Sequence, residues 1–364
     1  MSDMRDLMVE LAEKILKENC TKELIDQAED GTWQQKLWDL LEEAGIFTIG
    51  IPEENGGTGG DYADGFHILR LIGKYAVPLP VSETLIVNWL LHDSGFQTET
   101  VPTTLSIKND EHIHIYEKEN GFHVSGTLTD VSWGRYAKKL LTLAKIGNET
   151  HLVLLPLENV QIEKMNNLAG EPMDTIKIDQ LVAQLQLKVV DEAALIERAQ
   201  QILALSKAVM ISGAMEIILD MTVQYTRERE QFGRPIHRQQ AVQQYLAILA
   251  GETAASLTIT NKAIETFQQN NDVYELASAK VKTNEAAGKV AELAHQVHGA
   301  IGVTHEHRLH QLTRRLWSWR EEVGNENDWA EKLAIKFLNS EDATLWEFLT
   351  RTNSKKSSGV KVKD

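Results

Sequence analysis

The chain has 364 residues, 42% hydrophobic and 25% charged side chains and a formal net charge of −16. This is a folded globular composition, longer than one hydrophobic core usually spans, so two or three packed subdomains are expected. The acidity speaks against nucleic acid or an anionic membrane surface as the principal partner, since both need a broad basic footprint. A single cysteine, Cys20, excludes an internal disulfide framework and a thiolate metal cluster and suits a reducing compartment. No signal-peptide pattern opens the chain, and no run approaches ~20 uncharged apolar residues, so a cytoplasmic protein without a membrane span is expected.

Residues 1–98 read as a helical domain. Leu37, Leu40, Leu41 and Ala44 recur at helical spacing, and Gly45 and Gly50 then stop the pattern. The glycine-dense stretch from Ile51 to Asp61 is a loop, and Asp61 is placed to cap a helix running through Ile68, Leu69 and Ile72. Residues 99–190 change rhythm. Ile113, Ile115, Val124, Leu140 to Ile146 and Leu152 to Leu155 are short β-type stretches, with hairpin turns signalled at Asn120-Gly121 and Gly147-Asn148. From 191 to 350 the pattern is that of a helical bundle, with long helices over Glu192 to Arg229, Gln239 to Gln268, Val273 to Val297 and His305 to Trp319. Residues 351–364 form a polar tail. The fold class is therefore mainly α with a central β-domain.

Three segments carry a resemblance. They are the Ile51 to Asp61 loop, the run Tyr225-Thr226-Arg227-Glu228-Arg229-Glu230-Gln231-Phe232-Gly233-Arg234-Pro235-Ile236 with Gln240, and Gln296-Val297-His298-Gly299-Ala300-Ile301-Gly302-Val303-Thr304. Together they resemble the flavin-dependent acyl-CoA dehydrogenases over nearly the whole chain. The resemblance implies an N-terminal helical domain, a small β-barrel-like domain and a C-terminal four-helix bundle. It also implies FAD as cofactor, an acyl-CoA substrate, a homo- or hetero-tetramer, and electrons passed to an electron-transfer flavoprotein. Arg229 offers a permanently charged fork suited to the FAD pyrophosphate. Phe232 and Gln240 match the family's adenine-side contacts. Gln296, Gly299 and Gly302 match a turn that reaches the FAD of a neighbouring subunit, where backbone amides approach an anion. Asn325 and Asn327 fall where relatives place polar contacts to the ribityl and phosphate region, and Ser132 where a hydroxyl meets the flavin ring.

The chemistry implied is proton removal from the α-carbon of an acyl-CoA thioester by a carboxylate, with hydride leaving the β-carbon for the flavin. Here the sequence departs from the family. The residue before Gly324, where the base commonly stands, is Val323, and the alternative position on the first long bundle helix is Leu203. Glu322 is the nearest candidate base by a one-residue shift. The aromatic usually preceding the Ser132 position is replaced by Asp130, with Trp133 close by, and the second glycine of the Gly299 turn is Ala300. Short chains lacking the glutamate resemble one partner of paired bacterial acyl-CoA dehydrogenase subunits. Two readings follow: a dehydrogenase with an unconventional base, or a non-catalytic subunit that completes an FAD site. His112 with His114, and His295 with His298, form pairs without a third ligand, so no metal site is expected.

Overall fold

The computed structural model describes residues 3–108, 113–270, 273–340 and 344. His112 and the 351–364 tail lie outside them. Helices α1 (Asp3–Asn19), α2 (Lys22–Glu29), α3 (Gln35–Glu43), α4 (Tyr62–Tyr75) and α5 (Val81–Asp93) precede the strands. Asp61 caps α4 as expected: its side chain accepts from the Asp64 amide while Asp64 reaches back to the Asp61 amide. The glycine loop before it folds onto its own neighbours, Thr58 donating to the Gly45 carbonyl at 2.7 Å.

Eight strands follow: β1 (Thr103–Ser106), β2 (Ile113–Lys118), β3 (Gly121–Ser132), β4 (Lys139–Ile146), β5 (Glu149–Pro156), β6 (Gln161–Glu163), β7 (Met173–Val182) and β8 (Gln186–Val189). They form one sheet in the order β6-β7-β3-β2-β4-β5-β8, with β1 parallel to β4. The Gly147-Asn148 turn joins β4 to β5 as expected, because Ile146 pairs with Glu149. The other hairpin turns one residue earlier than its signal: Lys118 pairs with Gly121, leaving Glu119-Asn120 as the loop. Near its end β3 carries a bulge between Leu128 and Val131, and Asp130 there takes a positive φ of 49°.

The remaining helices are α6 (Glu192–Glu228), α7 (Gln240–Asn270), α8 (Val273–His298), α9 (Leu309–Glu321) and α10 (Glu326–Leu338), with a two-stranded hairpin, β9 (Glu230–Gln231) and β10 (Arg234–Pro235), after α6. The helix–β–helix order is the one expected. Helix α6 is long and apolar enough to cross a membrane by length and composition, and 78% of that apolar window is buried inside the fold. It is the bundle's core helix. It meets α4 backbone to backbone, since a Cβ on Gly73 would lie 2.1 Å from the Met210 carbonyl oxygen and one on Gly213 2.0 Å from that of Arg70. No side chain fits at either place, so the two glycines set the crossing. One continuous apolar core consequently runs through the first and last helices, while the sheet holds a second core around Ile113, Val124, Leu140 and Ile176.

Candidate active site

A cavity of about 420 Å³ opens where the sheet meets α5, α6 and the end of α9. Strand β1 and its extension supply Leu105 to Lys108, the β3 bulge supplies Asp130 and Ser132, and β7 supplies Met173. Opposite them stand Leu203 and Lys207 of α6, Glu83 of α5, and Glu321, Glu322 and Val323. Both aliphatic residues at the family's base positions, Leu203 and Val323, thus wall the same space. Ser132 faces it with its hydroxyl directed at the Met173 sulfur, 3.6 Å away.

Glu322 lies on this wall but is fully engaged. Its carboxylate receives Lys207 Nζ at 2.8 Å, Asn167 Nδ2 at 3.1 Å and Ser318 Oγ at 3.2 Å. Lys207 also faces Glu83 at 3.9 Å, and Ser82 Oγ donates to Glu83 at 2.7 Å. These side chains are 8% (Lys207), 6% (Glu83) and 16% (Glu322) exposed. Burial alone would raise the Glu322 carboxyl, yet the Lys207 charge and hydrogen bond hold it below the usual range. Burial likewise opposes charge on Lys207, but Glu322 and Glu83 raise it above an ordinary lysine. Glu83 goes the other way, because burial outweighs the more distant lysine and raises its carboxyl. A carboxylate depressed by a cation is a weak proton acceptor, so Glu322 is poorly set up as a base as it stands.

The segment that carries it is held from below. Lys280 Nζ donates to the carbonyls of Trp319 (3.0 Å) and Arg320 (3.4 Å), and Asn284 donates to Arg320 at 2.8 Å, satisfying the last turn of α9. Burial brings Lys280 down to about 7. Beyond α9 the backbone turns sharply: Val323 has φ +60° and Gly324 φ +91°. A β-branched residue in the left-handed region is strained, and it stands where the family's base would be. Asn325 caps α10, accepting from the amides of Asn327 and Asp328, while the Asn327 side chain is exposed.

The other predicted residues lie elsewhere. Arg229 ends α6, and Phe232-Gly233 forms the loop of the β9–β10 hairpin with φ +55° and +74°, a type I′ pair. Phe232 is 92% exposed, and Arg229 and Gln240 are exposed beside it. Gln296 and Gly299 are exposed at the end of α8, joined to α6 where Tyr225 donates to the His298 carbonyl at 3.2 Å and stacks on the His298 ring. Gly302 is different. A Cβ there would lie 2.9 Å from His298 Cβ and 3.1 Å from Leu309 Cδ2, so this glycine serves packing at the start of α9. Among the described residues no group of three His, Cys, Asp or Glu is arranged to hold a metal.

The comparisons with known proteins follow this division of the chain. Residues 2–98 match the family model "Acyl-CoA dehydrogenase, N-terminal domain" and residues 195–327 match "Acyl-CoA dehydrogenase, C-terminal domain". The chain belongs to the acyl-CoA dehydrogenase family. It is 25% identical over 328 residues to acyl-CoA dehydrogenase IpdE2 of Mycolicibacterium smegmatis, covering 86% of this chain and 93% of that one. It is 24% identical over 351 residues to the caffeyl-CoA reductase–Etf complex subunit CarC of Acetobacterium woodii, covering 86% and 92%. In fold it resembles a chain of the ChsE4–ChsE5 complex of Mycobacterium tuberculosis, with a TM-score of 0.82, 20% identity and coverage of 94% and 99%.

The residues of this acyl-CoA dehydrogenase relative fit FAD in parts. The cavity offers the Ser132 hydroxyl on one side and the Leu203 and Val323 side chains on the other, groups that suit the edge and face of a planar ring, and an exposed aromatic near an arginine in sequence suits an adenine and a pyrophosphate. In one chain, however, Leu203 and Arg229 are 26 positions apart on α6, about 39 Å at 1.5 Å per residue. One extended FAD does not span that distance. The signals that sequence reading missed are Glu83, Lys207 and Asn167. Each charge stands alone within an apolar helical run, Val81 to Leu91 and Ile202 to Ile211, which is itself a sign of a buried partner.

Proposed function

We propose that this chain is the FAD-binding, base-lacking subunit of a heteromeric acyl-CoA dehydrogenase, which desaturates an acyl-CoA thioester between the α- and β-carbons with a partner chain that carries the base. The observation that carries this reading is that Leu203 and Val323 line one cavity in which Glu322, the candidate beside Val323, is held by Lys207. When bound, FAD supplies the acceptor for the hydride leaving the β-carbon. The chain's own residues bind and orient it. Ser132 would offer a hydroxyl to the ring edge, and Asn325 and Asn327, which follow the cavity-lining Val323 in the chain, would supply polar groups to the ribityl and phosphate region. Arg229 would meet the pyrophosphate, while Phe232 would pack on the adenine and Gln240 would hydrogen-bond to it. Gln296 and Gly299 approach the same cofactor from the end of α8. Because the Arg229 group lies too far from its own chain's cavity, these residues serve the FAD of a neighbour, which supports an oligomer; the family resemblance makes it a tetramer.

Electrons pass to an electron-transfer flavoprotein, a reading supported by the family resemblance and by a relative named as part of an Etf complex. The protein is read as cytoplasmic, with no nucleic-acid or membrane partner, in keeping with a net charge of −16 and a long apolar helix that is buried core.

The test is an anaerobic titration of the FAD-loaded protein, alone and with a glutamate-bearing homologue encoded nearby, with a panel of acyl-CoAs while the flavin absorbance is followed. Bleaching only in the presence of the partner is expected. Bleaching of the chain alone would move the chemistry into it. For that second reading the specific observation is Glu322 beside Val323 on the cavity wall, and loss of bleaching in Glu322→Gln would identify it as the base.

A further inference from the structure

A second cavity, about 450 Å³ and so a little larger than the candidate active site, lies where α3 meets the entry to the sheet. Its wall is a run of touching rings. Trp33 lies 5.5 Å from Trp38 and 5.3 Å from Tyr136 between ring centroids, and Trp38 stacks on Phe47 at 4.1 Å. The polar atoms of the two half-buried rings are already committed: the Trp33 indole donates to Gln35 at 2.9 Å and the Tyr136 hydroxyl to the Gly31 carbonyl at 2.9 Å. What these rings offer a ligand is therefore hydrocarbon surface, suited to another flat ring. The segments that line this cavity continue into the candidate active site. Thr100 to Pro102 run into β1 and Arg135 to Lys138 follow Ser132, and the two are tied where the Lys138 amide donates to the Pro102 carbonyl (2.7 Å) and Thr104 Oγ1 to the Ser132 carbonyl (2.5 Å).

The rim decides the ligand's polar end. Arg135 is neutralised by the buried Asp174, to which its Nε donates at 3.0 Å. Lys138 is different: it is exposed, and among the described residues its ammonium has no partner. The amides of Thr100 and Val101 also lack an acceptor among those residues, and Glu42 is the one acid lining the cavity. Unpaired donors therefore outnumber acceptors, which favours an anionic group. The volume lies within the span of small-molecule sites, roughly 300–1,000 Å³. We propose that this cavity binds a planar aromatic carboxylate, its ring laid on Trp33 and Tyr136 and its carboxylate received by Lys138. The site is separate from the acyl-CoA chemistry and does not depend on whether this chain carries a base.

The probes share one ring system and differ in charge: 2-naphthoate, 2-naphthylmethanol and 2-naphthylmethylamine, each titrated calorimetrically into the full-length chain. One 2-naphthoate per chain is expected, bound about fivefold more tightly than the alcohol, with the amine weakest. Lys138→Met is expected to weaken 2-naphthoate about fivefold and to leave the alcohol unchanged, because only the charged contact is lost. Trp33→Leu is expected to weaken all three, because the ring surface is lost. No saturable binding of 2-naphthoate up to millimolar concentration overturns the proposal, and so does an amine that binds more tightly than the acid. A normally melting Lys138→Met or Trp33→Leu variant that binds 2-naphthoate as the wild type does puts the ligand elsewhere and overturns it too. If Trp33→Leu does not fold, the acid against the alcohol in wild type and Lys138→Met decides alone.

Discussion

Glu322→Gln isolates the buried pair at the centre of the candidate site. Glutamine keeps a carbonyl oxygen for Asn167 and Ser318 but removes the charge that receives Lys207 at 2.8 Å. Removing one partner of a buried ion pair typically costs about 3–5 kcal/mol, because the other charge stays buried without compensation. Lys207 retains Glu83 at 3.9 Å, which places the expected loss at the lower end, about 3 kcal/mol. Lys207→Met is expected to cost a similar amount, while the apolar double change Lys207→Met/Glu322→Leu costs less than about 1 kcal/mol, since Glu83, whose carboxyl burial already raises, takes up a proton and no charge is left stranded. The assay is urea unfolding followed by tryptophan fluorescence and circular dichroism, with both single variants and the double completing the cycle. The acid limb is a second check. A carboxyl lowered in the folded state contributes stability that is present above its ordinary pKa and lost as pH falls through the folded one, so wild-type and Glu322→Gln curves should converge at low pH. A single-variant loss below about 1 kcal/mol, the range of exposed pairs, or a double variant costing the full sum of the singles, would refute the picture of a buried, mutually dependent pair.

Arg229→Ala removes a charge-assisted contact expected to contribute about 1.5–3 kcal/mol to holding the cofactor, roughly tenfold to hundredfold in affinity, read as flavin absorbance per protein after purification. Unchanged flavin content would reject the pyrophosphate role. Lys280, brought down to about 7 from an ordinary 10.5, binds fewer protons folded than unfolded between those values, so stability contributed by this site rises with pH across that window and is lost below it. Melts of wild type and Lys280→Met should therefore diverge with pH, by no more than about 1.4 kcal/mol per unit. Val323→Gly relieves a left-handed β-branched residue worth about 1–2 kcal/mol against a glycine entropy cost of about 0.5–1 kcal/mol, so a small gain in melting temperature is expected. A loss would mean that the valine's contacts on the cavity wall outweigh its strain.

Much of the fold was legible because its signals are local. The Asp61 cap, the Gly147-Asn148 turn and the long apolar period of α6 each act within a few residues. Helix α10 escaped the reading, although Asn325 with Asp328 spells a capping box, and strand β7 escaped although Ile176 and Ile178 alternate with polar residues. The motif residues Arg229, Phe232 and Gly299 were found by resemblance, and the structure supplies what spacing did not: Phe232 is exposed on a tight turn and Gly302 is a packing glycine. The pairing of Glu83, Lys207 and Glu322 was not legible, although the lone charges at Glu83 and Lys207 each signalled a buried partner. Its members are separated by more than a hundred positions each and meet only because the Gly73–Gly213 contact locks α4, and α5 after it, against α6.

That trio also constrains how a base might be restored. Val323→Glu returns a carboxylate to the family's common position but adds one more acid to the wall that Glu83, Lys207 and Glu322 already share. Like charges this close do not all ionise, so one carboxyl is pushed to its protonated form and the pair that holds Glu322 is weakened. The expected outcome is that Val323→Glu alone gives no flavin bleaching by butyryl-CoA, and that bleaching emerges only when Lys207→Met and Glu322→Leu are added. Bleaching by the single change, in an FAD-loaded chain without a partner, would show that the restored carboxylate ionises beside Glu322 and Lys207 as they stand. The missing base would then be the sole reason this chain needs another to do chemistry.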